Sequence, residues 1–262
     1  MKIGVFDSGL GGLVITKSLI ERLPEYDYFY LGDTKHLPYG EKTSGRILKY
    51  TLDSLKYLIS QNCKLIIIAC NTATSIALRY IQQKFIPEYA PHVKVLGVVI
   101  PTVEKAVEDE VSKVGVIATS ATIKSHIYQT ELKKLSPHIK VQELATPQLV
   151  PLIENNNYEY MDNLIEDYLS AFSEIDSLIL GCTHYPLIKN YCRHILPQKT
   201  KVISQDEFIG EKLQDYLKKH PEIEEKLGKD SSRNFCVTQK SPQSYKVADY
   251  LFPNLTIKEV SY

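Results

Sequence analysis

Leu65-Ile66-Ile67-Ile68-Ala69-Cys70-Asn71-Thr72-Ala73-Thr74 decides the fold. Its apolar half, with three consecutive β-branched isoleucines, predicts a strand buried on both faces, as in a parallel sheet covered by helices. Cys70 falls where that strand ends. Asn71, Thr72 and Thr74 are residues that cap a helix or hold a carboxylate. Open α/β sheets bind ligands in the crevice beyond the carboxyl ends of their strands. The stretch therefore carries a thiol out of the core to the edge where a ligand would sit.

The same device recurs downstream. Ser177-Leu178-Ile179-Leu180-Gly181-Cys182-Thr183-His184 is again an apolar strand, a small residue, a cysteine and polar groups. At nearly the same offset, Gly4-Val5-Phe6-Asp7-Ser8 is echoed by Gly115-Val116-Ile117-Ala118-Thr119-Ser120. Two echoes at one offset predict two related α/β halves, each with a cysteine at the corresponding place. Halves that face each other would set two thiols across one cleft, which suits an enzyme reaching both faces of one carbon.

Outward from these strands, Lys2 to Phe6 predicts the first strand, followed by the glycine-rich turn Asp7–Gly12. A helix comes next with Ile15, Leu19 and Leu23 on one face, until Pro24. The turn lacks the third glycine of a dinucleotide fingerprint, since Val14 stands there, and Asp7 would repel a pyrophosphate. Asp7 and Ser8 are instead candidates for the cleft. Tyr28 to Leu31 predicts a strand running into Gly32-Asp33-Thr34, and Pro38-Tyr39-Gly40 fixes the turn beyond it. Asp33 and Tyr39 are thereby candidates for a binding wall. Thr43 or Ser44 starts a helix whose core face is expected to be Leu48, Leu52, Leu55 and Ile59.

Val93 to Val99 reads as a strand, with a helix opening at Ile100-Pro101-Thr102. Val114 to Ala118 opens the second half, and Thr119 and Thr122 bracket a turn before a helix with Ile123, Ile127 and Leu135 inward. Val141 to Leu144 is a short strand whose one acid is Glu143, Tyr158 to Phe172 a helix, Lys201 to Ser204 a strand and Asp206 to Leu217 a helix. The tail offers a strand, Asn234 to Thr238, and a helix around Tyr245 to Leu251, too little to fold alone. The expected division is residues 1–97 plus 207–262 as one α/β domain and 98–206 as the second.

Bulk properties narrow the function classes. Lys plus Arg equals Asp plus Glu at 31 each in 262 residues, so no net field favours nucleic acid or an anionic membrane surface. The apolar runs fall short of the roughly 18 residues of a bilayer span, and the N-terminus enters a strand without a signal-peptide pattern. Five cysteines, an odd number without close pairs, argue against a disulfide framework. A soluble, cytoplasmic, reduced protein is expected.

A thiol of ordinary pKa about 8.5 can act as an acid while a thiolate acts as a base. Both cysteines open strand-to-helix turns, so a helix N-terminus is expected beside each. His184, two residues beyond Cys182, is placed to exchange a proton with it, and Asp7 is the corresponding group for Cys70. An anion raises rather than lowers a thiol pKa, so Asp7 is the weaker partner. Zinc on Cys182, His184, Cys192 and His194 would need Cys-x-His twice, a poor match to structural spacing, and no Cys-x-x-Cys supports a redox pair. A Cys182–His184 hydrolase would leave Cys70 without a role. Cys63, Cys192 and Cys236 read as buried core thiols.

The chain resembles the glutamate racemase family almost end to end. The resemblance rests on Phe6-Asp7-Ser8-Gly9-x-Gly11-Gly12, Gly32-Asp33-Thr34, Pro38-Tyr39-Gly40, Ala69-Cys70-Asn71-Thr72-Ala73-Thr74 and Gly181-Cys182-Thr183-His184-Tyr185-Pro186-Leu187. It implies two pseudo-symmetric α/β domains with mostly parallel central sheets and the site between them. It also implies cofactor-independent racemisation of glutamate with Cys70 and Cys182 as the two bases, assisted by Asp7 and His184. Substrate contacts carry over to Asp7, Ser8, Tyr39, Gly40, Asn71, Thr72, Thr119, Thr122, Thr183 and His184, and Asp33 and Glu143 match acidic positions proposed as assistants. The family further implies a role in peptidoglycan synthesis, no metal or other cofactor, and a homodimer. Where many relatives have a small Asp-Ser loop before the last helix, this chain has Ser204-Gln205-Asp206-Glu207. It also lacks the N-terminal extension of relatives activated by a cell-wall precursor, so that regulation is not expected. Aspartate, one methylene shorter, stays open as an alternative substrate, as does a non-catalytic binder of acidic amino acids on the same fold.

Overall fold

The computed structural model describes the chain apart from residues 156 and 158–160, and only the backbone of 243–247. Strands β1 (Lys2–Asp7), β2 (Tyr28–Gly32), β3 (Cys63–Ile68) and β4 (Lys94–Gly97) pair in parallel in the order β2-β1-β3-β4. Val5 sits between Tyr30 and Ile67. A second parallel sheet of β5 (Lys113–Ala118), β6 (Lys140–Ala145), β7 (Ser177–Gly181) and β8 (Lys201–Ile203) has the order β6-β5-β7-β8, with Val116 between Glu143 and Ile179. The two orders are the same arrangement, strand for strand. The expected duplication thus extends to topology, and Cys70 and Cys182 follow equivalent strands.

The tail adds β9 (Arg233–Val237) beside β2 and β10 (Ile257–Glu259) beside β9, making six strands in the first sheet. The sequence gives no warning of β10, which is three residues long with only Ile257 buried. The helix Ile209–Lys219 lies against Gly12–Arg22, where a Cβ on Gly210 would fall 2.8 Å from the Ser18 carbonyl oxygen.

Strand alternation divides the first core. Ile3, Val5, Leu65 and Ile67 pack on one face with Leu13, Ile15 and Leu19, whereas Phe6, Ile66 and Ile68 pack on the other with Ile47, Leu55 and Leu58. Both faces are covered, so the isoleucine run needs no polar alternation.

Two expected helix faces are shifted. In Ser44–Ser60 the fully buried line is Ile47, Thr51, Ser54, Leu55 and Leu58, leaving Leu48, Leu52 and Ile59 half-buried. The reason is local: Thr51 donates to the Ile47 carbonyl at 2.7 Å and Ser54 to that of Tyr50 at 2.9 Å, so these hydroxyls enter the core already satisfied. In the second half, His126 adopts φ 52 and splits the predicted helix into Ser120–Ser125 and Ile127–Leu135. The break resets the phase, so Tyr128 and Leu132 point inward and Leu135 is 54% exposed.

Some boundaries move as well. The fourth strand stops at Gly97 and its helix is Val99–Glu108. Gln205–Glu207 forms a 3-10 turn ahead of the helix Ile209–Lys219. The expected helix from Tyr158 is Met161–Ser170, with residues 158–160 outside the described set. Among the described residues, no helix is long and apolar enough to cross a membrane.

Candidate active site

The carboxyl ends of the two sheets meet around a narrow pocket with a cavity volume of about 50 Å³. Ser8, Tyr39, Gly40, Cys70, Asn71 and Thr72 of the first half line it, opposite Thr119, Cys182, Thr183 and His184 of the second. Both thiols therefore reach one space. All five cysteines are buried and unbridged.

Cys70 is the N-cap of the helix Asn71–Tyr80, with an extended ψ of 117°. Its Sγ accepts the Ala73 N–H at 3.3 Å and lies 3.3 Å from Ser8 Oγ, to which the thiol donates. When the thiol ionises, the serine hydroxyl can turn and donate in its place. Burial, and after it the negative charge of Asp7, push this thiol up to about 12, against the pull of Ser8 and the Ala73 N–H. Cys70 thus rests protonated at neutral pH.

Asp7 closes β1 and is fully buried. Its Oδ2 accepts the Gly9 N–H at 3.0 Å and its Oδ1 accepts the Thr183 hydroxyl at 3.3 Å, so one carboxylate touches both halves. Burial raises its pKa, and the His184 charge, the Gly9 and Gly12 N–H groups and Thr183 oppose that rise.

Cys182 follows β7 but begins no α-helix. A four-residue 3-10 turn, Tyr185–Ile188, comes first, and the helix Lys189–Ile195 starts only beyond it. The helix N-terminus expected beside Cys182 is therefore missing, and His184 Nδ1, 3.8 Å from Sγ, is the polar neighbour instead.

The other ring nitrogen of His184, Nε2, lies 3.0 Å from Glu154 Oε1. That contact is ionic: the two atoms are close but not aligned for a hydrogen bond. Burial works against a charged imidazole, but the contacts with Cys182 and Glu154 prevail and carry its pKa well above the ordinary value. These contacts favour the charged, imidazolium form of His184.

Close backbone approach brings the halves together. A Cβ on Gly11 would fall 2.5 Å from Thr183 Oγ1 and 2.6 Å from His184 Nδ1, and one on Gly40 would fall 2.7 Å from Thr119 Cβ. Thr72 Oγ1 lies 2.8 Å from Thr119 Oγ1 and 3.2 Å from Thr122 Oγ1. Among the described residues, no lysine or arginine lines the pocket; hydroxyls, the Asn71 amide and the His184 ring do, with Glu41 as an acid at the same wall. Such a wall holds a carboxylate by dipoles.

Four sequence candidates do not line the pocket: Asp7 and Thr122 lie directly behind it, against Thr183 and Thr72, and Asp33 and Glu143 lie elsewhere. Asp33 is buried behind the wall, accepting hydrogen bonds from Tyr39 OH at 2.7 Å and Thr238 Oγ1 at 2.9 Å, with His36 Nδ1 also at 2.9 Å. It anchors Tyr39 and does not itself line the pocket. Glu143, on β6, faces His126 Nδ1 at 2.9 Å and accepts from the Gln129 N–H at 3.4 Å, again away from the pocket wall. Sequence reasoning passes over Glu154, Tyr128 and Gln205, which reach the site by long-range packing. Glu154 closes the short helix Leu149–Glu154, and no local pattern separates that acid from Glu143. Among the described residues, no group of three or more His, Cys, Asp or Glu side chains is arranged to hold a metal ion.

A model of the Asp/Glu/hydantoin racemase family matches residues 14–204. The chain is 37% identical over 269 positions to a glutamate racemase of a Sulfurihydrogenibium species, covering 99% of this chain and 97% of the relative. Among solved structures, a glutamate racemase isoform from Bacillus anthracis superposes with a TM-score of 0.90 at 29% identity, covering 99% of this chain and 97% of that one. The Francisella tularensis glutamate racemase, solved in complex with D-glutamate, gives a TM-score of 0.88 at 34% identity over 100% and 97%.

Proposed function

The chain belongs to the Asp/Glu/hydantoin racemase family, among its glutamate racemases, and on that premise we propose that it interconverts L- and D-glutamate through two thiols, Cys70 and Cys182. One thiolate removes the α-proton, leaving a planar carbanion. The thiol on the opposite face gives a proton to that carbon. The sulfurs end with exchanged protonation states, and the reverse direction uses the same pair with roles exchanged. The carrying observation is that both thiols, each at the end of an equivalent strand, line one pocket from different halves of the chain.

Each base has its own assistant. The His184 imidazolium, held by Glu154, stabilises negative charge on Cys182 or passes it a proton. Asp7 draws the substrate ammonium toward Cys70, and that cation offsets the carboxylate charge that helps keep the thiol protonated. Ser8, Gly40, Asn71, Thr72, Thr119, Thr122 and Thr183 supply or orient donors for the two carboxylates, with Tyr39 closing the wall. The scheme calls for no metal or other cofactor. The family resemblance supports a homodimer that makes D-glutamate for peptidoglycan and cell-wall synthesis, and five unbridged cysteines suit the reducing cytoplasm. Residues 1–97 with 207–262 form one domain and 98–206 the other.

The test is circular dichroism of each glutamate enantiomer with wild type, Cys70→Ser and Cys182→Ser, with aspartate in parallel. Wild type should bring either glutamate enantiomer to the racemate. Each serine variant should lose at least roughly 10²–10⁴-fold, the range for a general acid or base, while keeping its fold. Full activity in either variant would sink the two-thiol scheme. Faster turnover of aspartate would replace the substrate.

A further inference from the structure

Behind Asn71, four side chains from separate parts of the chain form a closed polar network. Asn71, Thr102, Tyr128 and Gln205 are each no more than 1% exposed. The two amides pair reciprocally, Asn71 Nδ2 donating to Gln205 Oε1 at 3.0 Å and Gln205 Nε2 to Asn71 Oδ1 at 3.0 Å. Tyr128 OH donates to the same Asn71 Oδ1 at 2.6 Å, and Gln205 Nε2 also reaches Thr102 Oγ1 at 2.9 Å.

An amide pair can in principle be turned over as a unit, exchanging donors for acceptors. Here one proton decides the direction. Thr102 gives its only hydroxyl proton to the Val98 carbonyl at 2.7 Å, so toward Gln205 its oxygen can only accept. Gln205 must then present its NH₂ group to Thr102, since the reverse would set two acceptors against each other. That choice directs Gln205 Oε1 at the Asn71 NH₂ group and leaves Asn71 Oδ1 to accept from Gln205 and Tyr128. Asn71 spends one N–H on Gln205, so its second N–H is not used by this network, and the residue lines the pocket.

We propose that Gln205, keyed by Thr102, is a positioning residue that sets the polarity of the Asn71 carboxamide, so that position 71 offers a donor to a substrate carboxylate. This rests on the reading of the pocket as a site for a dicarboxylic amino acid, and adds how one of its donors is fixed. Gln205 touches Asn71 and not the substrate; its effect passes through that one amide. Turned over, Asn71 would show the pocket an acceptor, which repels a carboxylate.

The test uses Gln205→Met, Thr102→Val and Thr102→Ser in the full-length enzyme, with KM and kcat measured for both enantiomers and melting temperature recorded. Gln205→Met should raise KM for both by roughly 10- to 100-fold, the scale of one hydrogen bond to a charged group, with kcat little changed. Thr102→Val, which keeps Gln205 but removes its key, should raise KM in the same sense, and Thr102→Ser should restore it. A merely structural role predicts the opposite split, a lower apparent kcat from a smaller folded fraction at unchanged KM. That split, or unchanged kinetics in Gln205→Met, overturns the inference while leaving racemisation intact. If Gln205→Met does not fold, Thr102→Val against Thr102→Ser decides alone, an unchanged KM in Thr102→Val overturning it. A wild-type enzyme silent on glutamate overturns the functional reading and this inference together.

Discussion

Cys70 and Cys182 occupy the same address in two copies of one sheet, yet their surroundings have little in common. Cys70 caps a ten-residue helix, takes a backbone N–H and a serine hydroxyl, and has a buried carboxylate nearby. Cys182 opens onto a 3-10 turn and has the His184 imidazole beside it, whose other nitrogen lies against Glu154. Duplication conserved where the thiol is delivered and not what surrounds it. The proposed two-thiol chemistry would permit this, because each thiol would meet the α-carbon of an asymmetric substrate on a different face.

After loss of the thiols themselves, the largest effects should come from removing each thiol's own assistant. Asp7→Asn and His184→Gln should each lower kcat/KM by roughly 10- to 100-fold, the scale of one charged contact. The equilibrium constant between enantiomers is one, so the loss must be equal in both directions. The asymmetry should show instead in the α-deuterium isotope effect, which should rise for one enantiomer in Asp7→Asn and for the other in His184→Gln. A rise for the same enantiomer in both would break the comparison.

A smaller loss is expected where the halves touch. Gly11→Ala would force its Cβ onto Thr183 Oγ1 and His184 Nδ1, the segment beside Cys182, at an overpacking cost of about 1–3 kcal/mol. Activity should fall by about tenfold with altered pH dependence, because the His184 ring must shift. Unaltered kinetics in this variant would show that the approach of the halves is looser than the static contact implies.

The smallest effect concerns stability. His184 has a raised folded-state pKa, so below about pH 6.5 it is charged in folded and unfolded states alike and its contacts stabilise fully. As pH rises from there through the folded pKa, the unfolded state releases its proton first and that stability is lost, at up to about 1.4 kcal/mol per pH unit. His184→Gln should flatten this alkaline decline in chemical-denaturation midpoints, and an unchanged slope would remove the imidazolium from the account.

What could be read in the sequence was what short strings encode. Buried strands, the cysteines at their ends, Asp7, Ser8 and the Thr183-His184 pair all lie within a few residues of a legible pattern. Glu154 and Gln205 do not, because their partners are His184 and Asn71, far away along the chain. Asp33 is a site candidate from its place at a strand end and Glu143 only through the family resemblance, and neither ground tells an acid that faces a pocket from one that faces a tyrosine or a surface histidine. The helix expected after Cys182 failed locally, as a four-residue 3-10 turn, Tyr185–Ile188, stands between the thiol and the α-helix. Leu135 failed because one left-handed residue, His126, changed the phase of everything after it.

The central claim, two distinct bases on opposite faces, is tested most directly by proton NMR of L-glutamate, and separately D-glutamate, with the enzyme in deuterium oxide. At early times, deuterium should be concentrated at the α-carbon of the newly formed enantiomer, with little in recovered substrate. Equal labelling of both pools from the outset would mean that one base serves both faces, and would contradict the account.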